Sequence, residues 1–237
     1  MPAITVAMIT LNEEAAVAKV IGDIKRAVAG LDAEILVVDS SRDNTPEIAA
    51  AMGARVVRQF PPQGYGRAMM RALTDAQGTV VITLDCDDTY PADRISELAR
   101  AVLSGEADLV NASRLGARPE AMPLANYLAN RSFALLSRIV LAVKTSDVHS
   151  GMRAYRRSVV QGVTFDAAGP ALPVELLLKP ALLGYRMAEI FIPYRERIGA
   201  TTLRRWESTV WTLKRIFRLL PLRFQSHCRE RTLGETG

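Results

Sequence analysis

The sequence is poor in the residues that staple or metallate small folds. Among 237 residues there are two cysteines, Cys86 and Cys228, two histidines, His149 and His227, and 6% aromatics. Two cysteines so far apart exclude a disulfide framework or a Cys-x-x-Cys metal site, and fit a reducing compartment. No uncharged run approaches the ~20 apolar residues of a spanning helix. The nearest candidate, residues 133–143, is short and carries Arg138. No signal peptide is visible, because the chain opens on the strand-like ITVAMI. The expectation is a protein that is soluble or peripheral to a membrane. No Gly-rich phosphate loop follows the first apolar run, which argues against a dinucleotide-binding fingerprint and against a nucleotidyltransferase. Repeats, low-complexity tracts and long linkers are also missing.

What is present suits one large domain, alone or with a small appendage. The composition is 49% hydrophobic and 23% charged, enough for a sizeable core. Net charge is +5, unevenly spread: residues 195–231 are rich in arginine, while the centre holds clustered aspartates. A basic tail suits nucleic acid, anionic lipid or a phosphorylated substrate. Nucleic acid is disfavoured, because aromatics do not interleave with the charges outside the final helical stretch.

Short apolar runs at residues 4–9, 34–38, 55–57, 80–84 and 109–112 read as buried strands. Helical patterns at 13–29, 46–52, 66–76 and 92–103 alternate with them. Gly30, Gly53, Gly78 and Gly105 follow those helices as stop signals. This rhythm predicts an α/β fold with a doubly wound, mostly parallel sheet. Such sheets bind ligands beyond the carboxyl ends of their strands, here residues 10–14, 39–45 and 85–90. The second half predicts a long apolar helix over 123–143, a loop with residues 147–153, a helix over 174–183, a late strand over 187–192, and a last helix from about Thr202, broken at Pro221.

The run LDCDDTYP sets Asp85, Asp87 and Asp88 directly after an apolar strand. Carboxylates this close repel one another, and a hard divalent cation bridged to a diphosphate would compensate them. The alternative is an acidic turn capping the next helix, which Asp88 serves equally well.

At these residues the chain resembles glycosyltransferase family 2, with its GT-A (Rossmann-like) fold, and within it the polyprenyl-phosphate (dolichyl-phosphate) mannose and glucose synthases. Asp85-Cys86-Asp87 stands where that family has its DxD motif. The segment VVDSSRDNT, with Asp39, is similar to VVDDGSxDGT, and Thr10-Leu11-Asn12-Glu13 to PTYNE. His149-Ser150-Gly151-Met152-Arg153, with Asp147 before it, is similar to the SGFR block, and RERIGATTL (195–203) to RxGxSKL. Departures from the pattern are Ile9, Leu11, Ser40 and Thr202.

The resemblance implies an inverting, metal-dependent hexosyltransferase. Its partners would be a UDP- or GDP-linked sugar donor, Mg²⁺ or Mn²⁺, and a polyprenyl-phosphate acceptor. Asp85 and Asp87 would hold the metal. Thr10, Asn12, Glu13 and Asp39 would hold the nucleotide. Gly64 and Arg67, at a loop entering a helix, would approach its phosphates, or form an ordinary loop. Asp85, Asp87, Asp147 and Arg197 are the catalytic candidates. Ser150, Arg153, Glu175 and Arg195 are the substrate-binding candidates; an arginine fork suits phosphate. A lipid phosphate is already anionic and needs no general base. A soluble hydroxyl or amine acceptor would need one, and Asp147 or Glu175 would have to serve. A non-catalytic nucleotide-sugar-binding protein is a further alternative.

Trp206, Val210, Leu213, Phe217 and Leu220 recur at helical spacing, with Lys214, Arg215 and Arg218 beside them. A basic amphipathic helix with tryptophan on its apolar face suits an anionic bilayer interface. The same stripe could instead pack on the domain or on a second subunit. The expected organisation is a transferase domain over 1–203, then an amphipathic helix and basic tail over 204–237. The helix at 204–224 would make the membrane contact. The expected location is cytoplasmic and peripheral to the membrane, with a homo-oligomer possible.

Overall fold

The structure is a computed structural model and describes residues 1–199 and 205–225. One seven-stranded sheet, in the order β3-β2-β1-β4-β6-β5-β7, forms its centre. The strands are β1 (Ile4–Thr10), β2 (Ala33–Asp39), β3 (Arg55–Arg58), β4 (Val80–Thr83), β5 (Leu109–Ser113), β6 (Arg153–Arg156) and β7 (Met187–Phe191). β1, β2, β3 and β4 run parallel. β6 is antiparallel to both its neighbours, β4 and β5, so β5 and its parallel partner β7 point the same way as β4. The expected α/β architecture with a mostly parallel sheet is therefore present.

β1 reads ITVAMIT and is buried on both faces, because helices cover each side. On one side lie α1 (Glu14–Ala27), α2 (Thr45–Ala51) and α4 (Ile95–Leu103). α1 turns Ala16, Val17, Val20, Ile21 and Ile24 inward at helical spacing, with Glu14 in its first turn and Lys25 and Arg26 in its last. Those charges complement the helix dipole. Each buried Val or Ile contributes about 1.5–3 kcal/mol. On the other side lie α3 (Tyr65–Asp75), α5 (Leu124–Leu141), α6 (Arg157–Gly162), α7 (Leu172–Leu182) and α8 (Arg205–Arg218). Ile216 and Leu219 are buried in the same apolar cluster as Leu73, Leu141 and Leu177. The terminal helix is thus docked on the domain.

β6 differs from expectation. The segment RAYR carries two arginines in four residues and gives no apolar run, yet Ala154 and Tyr155 are buried in the middle of the sheet. The last helix also differs. It is interrupted at Leu219, ahead of Pro221, and residues 220–225 are again helical. Its expected start near Thr202, the end of the RERIGATTL block, His227, Cys228 and the basic tail lie outside the described residues.

No helix among the described residues is long and apolar enough to cross a membrane.

Candidate active site

The carboxyl ends of β1, β2 and β4 lie side by side, and the order reverses about β1. Glu13, Asp39, Asp85 and Asp87 meet at this edge. Asp39 is fully buried. Its Oδ1 accepts from Thr10 Oγ1 (2.7 Å) and Ser41 Oγ (2.6 Å), and its Oδ2 accepts from the Ser41 N–H (3.0 Å) and pairs with Arg58. Asp39 and Thr10 are therefore spent on one another and on shaping the loop. Arg58, at the end of β3, is the group this cluster presents to solvent; its side chain is 46% exposed. Asn12, at φ 58°, donates its N–H to Ser41 Oγ and accepts from the Arg42 N–H, tying the two strand ends together. A short polar side chain tolerates that left-handed backbone.

Glu13 keeps its carboxylate free of the cap. Its carbonyl starts α1 and its N–H donates to Thr45 Oγ1 (2.9 Å). Burial pushes its pKa up to about 7, and the charges of Asp87, Asp85 and Asp43 add to the rise, while Arg197 opposes it. Asp85 is pushed up to about 6, first by burial and then by Asp87. No group among the described residues donates a hydrogen bond to the Asp85 carboxylate. Gly151 lies directly beneath it: a Cβ there would fall 2.7 Å from Asp85 Oδ2.

Asp87 is better satisfied. Its Oδ1 accepts from the Thr89 N–H (3.1 Å) and Oγ1 (2.5 Å), and its Oδ2 pairs with Arg197. The 195–198 segment is stitched to this loop by Arg195 N–H to Thr89 O (3.1 Å) and Ile198 N–H to Asp87 O (2.9 Å). Arg195 lies 3.9 Å from Asp88 and 3.6 Å from Asp93, and Asp88 also pairs with Lys19 (2.7 Å). Asp88 thus serves the loop, not the acidic cluster.

The donor set fits a hard divalent cation. Two neighbouring carboxylates, one raised in pKa by burial and by its neighbour and without a hydrogen-bond donor among the described residues, leave a charge that a cation would satisfy. No group of three or more possible ligands occurs among the described residues. Diphosphate oxygens and waters would complete the shell, as is usual for Mg²⁺.

Several expected substrate contacts are occupied within the protein. Arg153 is 1% exposed; it donates to Asn111 Oδ1 (2.9 Å), to Val148 O (2.9 Å) and to Pro173 O. It holds the loop after α5 to β5, and has no fork left for phosphate. Glu175 is 3% exposed on α7, paired with Arg215 and with Lys179 (3.1 Å). Glu175 was expected to meet substrate; in this structure its carboxylate is held by those partners within the protein, as a buried carboxylate requires. Ser150 donates to Ala112 O (2.5 Å). Asp147 is fully buried; Arg114 Nε and Nη2 grip its two oxygens at 2.7 and 3.0 Å. Burial alone would raise its pKa, but the Arg114 charge and hydrogen bonds hold it below the usual value. It orders the loop and does not face a substrate as a base. Gly64 and Arg67 are exposed at the start of α3, away from any such pairing.

Arg114 was not anticipated. It follows β5 at the sheet's carboxyl edge, so the strand-end rule that led to the other segments also reaches it. Its guanidinium packs over Tyr90 and Tyr194, at 6.0 and 5.4 Å from the ring centres. Beyond it opens a groove of ≈ 760 Å³ lined by Arg114, Arg118, Ala117, Phe191, Ile192 and Tyr194, among others. Arg114 also contributes to the field at Asp85, so the groove begins beside the acidic pair.

Comparison with known proteins now places the chain. Residues 5–164 match the model for glycosyl transferase family 2. The chain belongs to glycosyltransferase family 2. This glycosyltransferase is 42% identical over 200 residues to a dolichyl-phosphate hexose transferase of Haloferax volcanii, covering 84% of this chain and 86% of the relative. It is 30% identical to a dolichol-phosphate mannosyltransferase of Pyrococcus furiosus over 74% of this chain and 52% of that one, so it spans about half of that relative. Among solved structures it is similar to glucosyl-3-phosphoglycerate synthase of Mycobacterium tuberculosis, in complex with Mn²⁺, UDP and phosphoglyceric acid. The TM-score is 0.71 at 28% identity, over 94% of this chain and 78% of that one. The chain is a family-2 glycosyltransferase with a GT-A-like fold.

Proposed function

We propose that this enzyme moves a hexose from a UDP- or GDP-linked donor to a polyprenyl phosphate at a membrane surface, with inversion. The observation that carries the donor half is the Asp85–Asp87 pair at the end of β4, with no hydrogen-bond donor to the Asp85 carboxylate among the described residues. A divalent cation held there would neutralise the charge developing on the departing nucleoside diphosphate. The Mn²⁺ and UDP bound by the similar Mycobacterium synthase support this reading. Glu13, raised in pKa beside the pair, is placed to accept from nucleotide hydroxyl or ring N–H donors. Arg197 neutralises Asp87 in the free enzyme and is in reach of the same phosphates.

The acceptor half rests on chemistry and on surface. Attack by a hydroxyl would need a base, and the two candidates, Asp147 and Glu175, are both locked to arginines. A phosphate oxygen needs none: it forms the new bond to the anomeric carbon as the bond to the diphosphate breaks. Arg114 and Arg118 line the groove that would receive it. The two dolichyl-phosphate relatives support a lipid as its carrier. So does the outer surface of α5 and α8, where Leu128, Leu135, Ile139, Trp206 and Phe217 are all exposed. Peripheral attachment through these helices follows from the same reading.

A soluble phosphorylated acceptor is the second reading, favoured by the phosphoglyceric acid of the Mycobacterium complex. The test is diphosphate release from UDP- and GDP-sugars with Mg²⁺ or Mn²⁺, with and without a short polyprenyl phosphate. Lipid-dependent release that disappears in Asp87→Ala is expected. Metal-dependent donor binding with no response to the lipid would overturn the acceptor assignment.

A further inference from the structure

The two faces of α8 look in different directions. On the outer one, Trp206 is 80% and Phe217 52% exposed, and Lys214 and Arg218 lie beside them. On the inner one, Thr212, Arg215, Ile216 and Leu219 are buried. Trp206, Leu213 and Phe217 of the apolar stripe therefore face solvent, while Leu220 packs against the core, and a second face centred on Thr212 and Arg215 does most of the packing.

The inner face touches segments that build the donor site. Thr212 Oγ1 hydrogen-bonds His149 Nε2 at 2.8 Å. Among the described residues the imidazole has no other hydrogen-bond partner and its buried Nδ1 has none, and Phe133 of α5 flanks the ring edge-on at 5.3 Å. The ring is thus oriented by α8 and α5. Two residues on, Gly151 donates its N–H to Tyr90 Oη (2.6 Å) and supports Asp85 from below. At a second point, Arg215 pairs with Glu175 and donates to Ala168 O (2.6 Å), and Trp211 presses on Gly169, where a Cβ would fall 2.5 Å from the indole. The same 166–169 turn abuts Gly66 in the first turn of α3.

We propose that α8 is a lever that couples docking on an anionic bilayer to the donor site, with Thr212–His149 as its joint. This rests on the membrane reading above for the identity of the surface. A bilayer is the occupant that the outer face fits: an exposed tryptophan and phenylalanine, flanked by cations, suit the boundary between headgroups and acyl chains. The apolar surface continues onto α5 through Leu128, Leu135 and Ile139, and Arg223 ties the chain after α8 to the carbonyls of Ile139 and Val140. Seating that surface restrains α8, and the restraint passes through a close-packed interior to the 147–151 loop. A site already ordered costs less to order again, so docking strengthens binding of metal and diphosphate. By linkage, bound diphosphate strengthens docking by the same factor.

The test uses the full chain with no acceptor present. Binding of Mn²⁺–UDP and Mn²⁺–GDP is measured with and without vesicles of phosphatidylglycerol and phosphatidylcholine, with co-sedimentation in parallel. Wild type should sediment and bind its diphosphate roughly fivefold or more tightly on vesicles. Thr212→Val should sediment equally and lose the tightening, and Thr212→Ser should regain it. Failure to sediment, an unchanged affinity for vesicle-bound wild type, or full tightening in Thr212→Val would overturn the lever. So would self-association of the chain through Phe217, which would assign the face to a second copy. Loss of all metal–diphosphate binding would sink the donor reading instead. Whether prenyl phosphate is the acceptor is read separately, by sugar transfer.

Discussion

Two acidic regions of this enzyme are held in opposite ways. At the ends of β1 and β4, burial raises the pKa values of Glu13 and Asp85, and like charges nearby add to the rise. Behind β5 and on α7, Asp147 and Glu175 are each matched to a buried or nearly buried arginine, Arg114 and Arg215. In the first group arginines oppose the rise without cancelling it, Arg197 at Glu13 and Arg114 and Arg197 at Asp85, and the neighbouring Asp87 pairs with Arg197. The second is compensated from within, and holds the scaffold. The charge left over beside β4, and its absence around Asp147 and Glu175, is the contrast.

That contrast can be broken by substitution. Asp87→Ala should lower sugar transfer by roughly 10³-fold, since it removes an electrostatic contact realised as the diphosphate departs. Its thermal midpoint should stay within a few degrees of wild type. Glu175→Ala should do the reverse. It takes from Arg215, which is 2% exposed, one of its two carboxylate partners and leaves it Asp166 at 3.1 Å, and should cost about 1–3 kcal/mol in urea unfolding. A Glu175→Ala enzyme of wild-type stability would contradict the division.

The pH dependence of stability sharpens it further. Asp85 and Glu13, held at about 6 and about 7, bind protons in the fold that the unfolded chain has released. Stability of the metal-free enzyme should therefore fall as pH rises from about 4.5 to 7, and Mn²⁺ should restore more of it at pH 8 than at pH 5. Asp147, held below its usual value, acts in the other direction: its contribution is present above about pH 4 and is lost on further acidification. Thermal melts across pH, with and without Mn²⁺, read both limbs. The smallest effect on stability is expected at the outer surface. Phe217→Ser should change unfolding by no more than about 0.5 kcal/mol, because its side chain is exposed, while reducing vesicle association.

The same division explains what could be read from the sequence. The parallel half was legible because each strand there is a short apolar run followed by a helix and a glycine. The rule that ligands collect at strand ends pointed to residues 10–14, 39–45 and 85–90, and the fold brings Glu13, Asp39, Asp85 and Asp87 together there. β6 was not legible, because Arg153 and Arg156 hide a four-residue strand whose central pair alone is apolar. Arg153, Glu175 and Asp147 read as ligand-binding groups, because sequence shows a charge without its partner. One partner of each lies 20 residues or more away in the chain: Pro173 O for Arg153, Arg215 for Glu175 and Arg114 for Asp147. The stripe from Trp206 to Phe217 was visible as a period, but its direction depended on Thr212, Arg215 and Ile216 packing inward. Periodicity gives the faces of a helix; only tertiary contacts say which is covered.

The acceptor is the central claim, and it is tested most directly by competition. A labelled hexose donor would be offered with metal, a short polyprenyl phosphate and an equal concentration of phosphoglyceric acid, and the products separated into organic and aqueous phases. Label in the organic phase, absent without the polyprenyl phosphate and absent with Asp87→Ala, is the expected result. Label only in an aqueous phosphoglyceric acid product, with none in the lipid, would contradict it.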